Sequence, residues 1–150
     1  GEQAAAVAER DKARAEATAS AKNAKDSQDK AVAAEKAKQV ADVAAKGIMF
    51  FQEVNQSKLA AEAGIKVLPS TLLVFGNPPL GTQFIAARPH AGLDWPVRLL
   101  VQQDDKGDVW AVYTDFGWIA RRHGVSGEAA KPFETASGVI TSITSSVKGN

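Results

Sequence analysis

The sequence predicts an α+β fold, in which a small antiparallel sheet packs against helices and a long helix precedes the domain. Three features lead to this prediction: an alanine-rich first third, several short β-prone runs after it, and a turn sequence between two of those runs. A chain of 150 residues is long enough for one domain with an appendage. We therefore place a helical extension at residues 1–46, whose end forms the first helix of the domain, and a globular α+β domain at residues 47–150.

The extension differs from the rest of the chain in composition. Residues 1–46 contain 17 Ala, no Pro and no aromatic residue, whereas all six Phe, three Trp and six Pro follow Gly47. Ala, Lys, Glu, Gln and Arg favour helix, so the segment predicts a helix of roughly 69 Å. A seam of small residues at heptad-like spacing runs along it. The candidate interface residues on this seam are Ala13, Ala17, Ala24, Ala31 and Ala34.

Two interpretations of the alanine seam stay open. Alanine buries little apolar area, so the helix could be solvated and held by helix propensity and charge pairs alone. Alternatively, small residues let two helices approach closely, either within the chain or between subunits. The second interpretation predicts a homo-oligomer, most simply a dimer, or a contact of this helix with another protein.

The first half of the domain follows from caps and apolar runs. Gly47 ends the first helix, since glycine readily adopts the left-handed conformation that C-terminal caps need. A short apolar run then predicts a strand, and Asn55 or Ser57 caps the helix after it. A continuous β-prone run is typical of a strand buried on both faces. The predicted elements are helix 32–46, strand 48–54, helix 58–63 and strand 71–75.

The second half contains a hairpin and two more helices. Thr82 is predicted to cap a short helix at 82–87. Strands at 98–103 and 108–114 flank Asp104-Asp105-Lys106-Gly107, whose Lys-Gly end suits a hairpin turn. A helix at 117–123 starts after an Asp and stops at a Gly, and apolar residues at helical spacing predict a last helix within 128–147. An antiparallel hairpin among helices is typical of the α+β class.

Charge and residue types exclude several classes of function. Lys and Arg total 18 against 17 Asp and Glu, and a net charge of +1 gives no field for gathering nucleic acid or membrane. The absence of cysteine excludes disulfides, thiolate metal sites and a Cys nucleophile. No apolar run reaches the ~20 residues of a transmembrane helix. With only His90 and His123 available, we expect no metal or cofactor; an exported or periplasmic location is compatible with the Gly1 start.

Two places could hold a ligand. Turn geometry accounts for Gly76-Asn77-Pro78 and Gly81-Thr82, because Asn tolerates a left-handed conformation and Thr caps a helix; the alternative is an anion site at that helix N-terminus. Arg121-Arg122-His123 ends a predicted helix, where cations favour the negative end of the helix dipole. The candidate ligand-binding residues are Asn77, Thr82, Arg121, Arg122 and His123.

A catalytic site is not recognisable, and we assign no catalytic residue. No G-x-S-x-G motif occurs, and the Asp residues around Gly107 fit a polar turn. Asp94 precedes Trp95-Pro96, which favours a turn-forming role. Met49 is expected to pack within its strand. The larger aromatic residues are expected to be core or interface anchors; they are Trp95, Trp110, Phe116 and Trp118.

Several motifs together resemble a known bacterial family. They are Gly47 through Gly64, Pro69 through Pro78, Gly81-Thr82, Gly92 through Val101, and Asp105, Gly107, Trp110, Tyr113 and Ala120 through Gly124. Over residues 30–125 the sequence resembles the family catalogued as domain of unknown function 302. This resemblance implies a small α+β domain with a TATA-box-binding-protein-like arrangement, commonly a homodimer, and no established activity.

The chain departs from the family pattern in two places. The family usually has a strand before its first helix, but residues 23–30 (NAKDSQDK) do not read as a strand, and the alanine-rich extension replaces it. The Asp-His pair that the resemblance implies after the first strand is Asn55-Gln56 here. Any chemistry that depends on that histidine is therefore expected to be missing.

Two hypotheses for function remain. The favoured one is a non-catalytic binding or assembly module that self-associates through its long helix and a sheet edge. The alternative is a small enzyme or ligand-binding protein that acts on an anionic small molecule near Asn77, Thr82 and Arg121-Arg122-His123.

Overall fold

The computed structural model describes residues 2–145 and 147, and it has the α+β fold that the sequence predicts. Its helices are α1 (Glu2–Ala45), α2 (Gln56–Glu62), α3 (Pro78–Ala87), α4 (Phe116–Arg122) and α5 (Lys131–Ile143), with 3₁₀ turns at Pro89–Asp94 and Gly127–Ala130. Its strands are β1 (Met49–Asn55), β2 (Ser70–Gly76), β3 (Val97–Gln103) and β4 (Val109–Tyr113).

The four strands form one antiparallel sheet in the order β1-β2-β3-β4. Leu73 of β2 lies opposite Leu99 of β3, and both are fully buried. Since side chains alternate along a strand, these residues define an inner face, and their neighbours in sequence define an outer face. The buried side chains of α1, α3, α4 and α5 belong to one core together with the inner face.

The last third of α1 completes this core. Val32, Gln39 and Val43 are buried, and their spacing of seven and four residues places them on one side of the helix. This side contacts all four strands. Gly47, with φ of +68°, ends the helix as predicted, and the Ile48 amide donates to the Val43 carbonyl.

Three phenylalanines join the remaining helices. Phe84 of α3 stacks on Phe133 of α5 with ring centroids 4.0 Å apart, and it lies 6.3 Å from the ring of Phe116 in α4. All three are buried. This aromatic contact explains why three short helices from distant parts of the sequence pack at one place.

Three local predictions are wrong. α3 begins at Pro78 rather than at Thr82, because proline suits the first turn of a helix, where its missing N–H is not needed. Thr82 lies inside α3, and its hydroxyl donates to the Pro78 carbonyl at 2.5 Å instead of capping. Met49 is 52% exposed, not packed. The final helix ends at Ile143, within the predicted range; residues 146 and 148–150 lie outside the described residues.

The β3–β4 hairpin is organised by one carboxylate. Oδ1 of Asp104 accepts hydrogen bonds from the amides of Lys106 and Asp108, both at 2.9 Å, and Oδ2 accepts one from Trp110 Nε1 at 2.8 Å. Gly107 supplies the left-handed residue of the turn, with φ of +88°. The turn is where the sequence predicts it. The Asp104 carboxylate accepts hydrogen bonds from three N–H donors.

The pKa of Asp104 lies below its ordinary value, and the hydrogen bond from the Trp110 indole is the largest cause. Burial opposes this shift, whereas the two backbone amides and the charge of Lys106 add to it. A carboxyl pKa that is lower in the folded state stabilises the hairpin above the unfolded pKa of about 3.9, and this contribution is lost as the pH falls through the folded pKa.

We expect Trp110→Phe to raise the pKa of Asp104. A pH titration of the carboxyl carbon by NMR measures this shift, with Tyr113→Phe as control. An identical pKa in Trp110→Phe and wild type would contradict the assignment.

Candidate functional site

The largest exposed feature is the first part of α1, which we call the free segment (residues 3–31). Every side chain that the structure describes there is exposed. At 1.5 Å per residue the free segment is about 44 Å long. The first buried residue of α1 is Val32. The helix therefore extends well beyond the domain that its C-terminal third helps to build.

The alanine seam faces away from the sheet. At about 100° per residue, the midline of the seam near Ala31 and Ala34 lies about 130° around the helix from the side that carries Val32, Gln39 and Val43. Both alanines are exposed even though α1 lies on the sheet at this point. Packing of the seam within the chain, one of the two expected arrangements, is therefore not found among the described residues.

The β1 edge is a second exposed surface. β1 pairs only with β2, so its other side has free backbone N–H and C=O groups among the described residues. Met49, Phe50 and Phe51 are 41–52% exposed on this strand. The ion pair between Lys36 Nζ and a Glu53 carboxylate oxygen, at 2.9 Å, connects α1 to β1. It leaves the three apolar side chains accessible.

A buried carboxylate forms the main polar cluster of the domain. Asp94 is 4% exposed at its side chain, and its Oδ2 lies 2.6 Å from Nε2 of His123, itself 7% exposed. Arg122 donates to both carboxylate oxygens at 3.0 and 3.1 Å, and Arg98 lies 3.6 Å away. Arg122 also lies over the Trp118 ring at 5.5 Å.

This cluster is a structural clamp. A buried charge is tolerated when it is paired and hydrogen-bonded, and Asp94 has both kinds of partner. It joins the turn before β3 to the end of α4. Asp94 is thus not the turn-forming residue that its sequence suggests, and His123 contacts a carboxylate in addition to standing at the C-cap of α4. The Nε2 atom of His123 is engaged by Asp94, and its side chain is buried.

The segment from Gly76 to Gly81, which we call the glycine loop, packs against the indole of Trp95. A Cβ on Gly81 would lie 1.7 Å from Trp95 Nε1, and one on Gly76 would lie 3.0 Å from Trp95 Cζ2. Only glycine lets the Trp95 ring approach the backbone this closely. Phe51 contacts the same indole edge-on, with centroids 6.0 Å apart. The loop therefore positions Trp95, and Asn77, with φ of −107°, does not use a left-handed conformation.

The five candidate ligand-binding residues fall into separate groups. Asn77 is the N-cap residue of α3 and makes no capping bond with its side chain, and Thr82 bonds within α3. Arg122 and His123 bind Asp94, whereas Arg121 is exposed on α4. Across the described part of the chain, no hydrogen bond or ion pair joins the α3 pair to the α4 trio.

Sequence reasoning missed Asp94 as a residue that holds the domain together, whereas it predicted Trp95 as a core or interface anchor, and Trp95 packs against the core. Asp94 is 28 residues from Arg122 in the chain, and no periodic pattern predicts contacts over that separation. One signal was present: a carboxylate and a tryptophan stand together between apolar residues in Gly92 through Val97. The cavity beside Trp95 has a volume of about 30 Å³ and is lined almost wholly by apolar side chains such as Leu80 and Ile140.

Within residues 2–145 and 147, no three His, Asp or Glu side chains come together as a metal site requires. None of the helices there combines the length and apolar character that crossing a membrane needs.

Comparison with known proteins decides the family. The family described as "Domain of unknown function DUF302" matches residues 23–143. The chain belongs to the DUF302 family. The match begins inside α1, so residues before 23, including Ala13 and Ala17, lie outside the DUF302 region, whereas the Trp95 loop and the Asp94 cluster lie within it.

A solved structure agrees with the fold. The "uncharacterized conserved protein DUF302 from Bacillus stearothermophilus" superimposes with a TM-score of 0.70 at 11% identity, covering 78% of this chain and 91% of that chain. At this identity the likeness concerns the fold alone.

Curated relatives match part of their own length. The "Fluoride-specific ion channel FluC 1" proteins of Brucella suis biovar 1 and Brucella abortus biovar 1 are each 38% identical over 98 residues, or 63% of this chain. The match covers 39% and 36% of those proteins. The chain thus spans less than two fifths of each.

The glycine loop generates the first prediction for the site. Gly81→Ala is expected to destabilise the domain by about 2 kcal/mol or more, because the new methyl group displaces the Trp95 ring. Gly138→Ala is the matched control: it also lies in a helix, but its Cβ would meet nothing within 4 Å, so we expect stabilisation of about 0.5–1 kcal/mol. Urea unfolding followed by circular dichroism measures both. Equal effects would contradict the role of Gly81.

The second prediction for the site concerns the Asp94 cluster. Asp94→Asn keeps the shape of the side chain but removes the charge that pairs with Arg122, whose side chain is half-exposed, so we expect a loss of about 2 kcal/mol of unfolding free energy. Asp105→Asn, in the exposed turn, is expected to stay within about 0.5 kcal/mol of wild type. Indistinguishable unfolding midpoints for the two variants would show that the cluster does not stabilise the domain.

Proposed function

We propose that this DUF302 protein is a non-catalytic assembly module that self-associates through the alanine seam of α1 and the β1 edge. The free segment is the observation that carries the proposal. Most helical stability in proteins comes from tertiary packing rather than from helix propensity. A free segment of about 44 Å with an unoccupied stripe of small residues is suited to packing against another helix.

The charges of the free segment suit a second copy of itself. Together with Glu2, the free segment contains six acidic residues (Glu2, Glu9, Asp11, Glu16, Asp26 and Asp29) and six basic ones (Arg10, Lys12, Arg14, Lys22, Lys25 and Lys30). Two such helices therefore meet without net repulsion. The seam alanines permit the close approach that favours dispersion contacts along the whole length.

The polar cluster supports a role other than catalysis. His123 and Arg122 are two of the five residues on which the anionic-ligand hypothesis depends, and both bind the buried Asp94. Asn77 and Thr82 belong to the loop and helix that position Trp95. The same residues thus have structural roles that do not require a substrate.

The relatives support a modular role. A segment 38% identical to this chain is part of longer proteins named as fluoride-specific ion channels. The name describes those whole proteins, of which the match covers 39% or less. For this chain we propose a function that a domain joined to other polypeptides can perform, which is to bring copies or partners together.

Charged substitutions on the seam test the proposal. Ala17→Glu with Ala24→Glu places like charges on the helix contact, so we expect the dissociation constant for self-association to rise at least about tenfold, equivalent to 1.4 kcal/mol. Ala8→Glu with Ala15→Glu adds the same charge at the same seven-residue spacing but on the opposite side of the helix, and is expected to leave association unchanged. Sedimentation velocity over a range of concentrations measures both.

Two results would overturn the proposal. One is a wild-type mass of 15.8 kDa at every concentration. The other is equal association by the seam variant and its control. Circular dichroism at 222 nm confirms that both variants keep α1 helical, which separates lost contact from lost helix.

A further inference from the structure

The outer face of the sheet carries an apolar row that the core does not use. Register places Val54, Leu72, Leu100 and Val112 side by side across all four strands. None of the four belongs to the buried core, in contrast to Leu73 and Leu99 on the inner face. Val112 is 42% exposed, and the other three are partly exposed.

The described helices leave this row accessible. The buried side chains of α1, α3, α4 and α5 all belong to the core on the inner face, and α2, which contacts β2, buries none of its side chains. An apolar row that crosses a whole sheet without cover is a feature of interaction surfaces.

The outer face is also almost free of charge. Its remaining positions are Gln52, Ser70, Val74, Arg98, Gln102 and Trp110. Arg98 is the single charged side chain among these ten residues, and its guanidinium lies 3.6 Å from the Asp94 carboxylate. A neutral apolar surface is complementary to another neutral apolar surface.

We propose that the outer face binds the outer face of a second copy of this chain, which adds a second contact to the assembly function proposed above and rests on it. A twofold axis through the middle of the row places Leu72 opposite Leu100 of the other copy, so the row is complementary to itself. Stacked sheets pack about 10 Å apart, so the side chains of the two outer-face rows would be in contact.

Other occupants fit this face less well. The free segment of another copy has Val7 as its one large apolar side chain, so it covers the row with little apolar area. Nucleic acid and anionic membranes require several basic residues, and this face has Arg98 alone. A second copy meets the face with the same apolar row.

The area indicates the strength of the contact. Four strands about 4.8 Å apart and three rows about 6.8 Å apart give a footprint of about 400 Å² per subunit. Stable interfaces bury about 800 Å² per partner. The outer-face contact is therefore expected to depend on concentration by itself and to become stable when the α1 seam joins copies as well, with tetramers formed from two kinds of dimer contact.

Single-cysteine crosslinking tests the two contacts separately, because the natural chain contains no cysteine. Leu100→Cys reports on contact at the outer face, and Ala24→Cys reports on contact at the seam. Leu93→Cys measures random collision, because Leu93 is 71% exposed and lies outside the sheet. Each full-length variant is treated with a short bismaleimide at about 10 µM. An interface holds thiols at an effective concentration on the order of mM, so Leu100→Cys is expected to crosslink at least about tenfold faster than Leu93→Cys.

The outcomes separate the two proposals. Crosslinking of Leu100→Cys at the rate of Leu93→Cys overturns the outer-face contact, whatever Ala24→Cys does. Fast crosslinking of Leu100→Cys with slow crosslinking of Ala24→Cys supports the outer face and counts against the seam.

A charged variant provides the second measurement. Val112→Lys removes no core packing and is expected to weaken outer-face association at least about tenfold by sedimentation, whereas Leu93→Lys is not. Retention of wild-type association by folded Val112→Lys overturns the proposal. The proposal would also be overturned if the wild-type protein bound DNA or anionic vesicles and Val112→Glu abolished that binding, because the face would then have another occupant.

Discussion

The packing of the last third of α1 on the inner face of the sheet is the contact on which the rest of the structure depends. Val32, Gln39 and Val43 are buried on one side of α1, which contacts the four strands and α5, and they fix the rotation of the helix about its own axis. Because α1 is one continuous helix, this rotation is transmitted to the free segment, whose described side chains are exposed. The direction in which the alanine seam faces is thus decided by three buried side chains at the other end of the helix.

Two adjacent residues link the two halves of the domain. Asp94 binds the end of α4 through Arg122 and His123, whereas Trp95 lies against the glycines around the start of α3. The segment before β3 is therefore held from both sides. These contacts account for the glycines of the loop and for Arg122 and His123 as distinctive features of the chain. Arg122 and His123 bind the Asp94 carboxylate, whereas Arg121 is exposed on α4.

Surfaces that remain accessible are arranged on different sides of the domain. The seam of α1 points away from the inner face, the apolar row lies on the outer face, and the β1 edge lies between them. A module with contacts on different sides can connect more than two copies, whereas one contact closes as a dimer. The distribution of apolar residues therefore matters more for the proposed function than the polar cluster does.

Local features of the structure could be predicted from the sequence by itself, because they depend on interactions between neighbouring residues. The helical extension, the Gly47 cap, the hairpin at Asp104 through Gly107 and the order of strands and helices follow from composition, spacing and turn residues, and the motifs around Gly76 and Gly81 indicated the family. The start of α3 was misplaced because Thr82 and Pro78 each suit the first residues of a helix, and only the structure distinguishes them.

The tertiary structure decided what depends on contacts between distant residues. Spacing predicted an alanine seam but could not tell which side of α1 packs on the sheet, since Val32, Gln39 and Val43 gain their role only when four strands lie beneath them. Asp94 and Arg122 are separated by 28 positions, and their contact requires the sheet and α4 to be in place first. The outer face shows the same limit: the sequence contains Val54, Leu72, Leu100 and Val112 on four separate strands, and hydrogen-bond register alone brings them into one row.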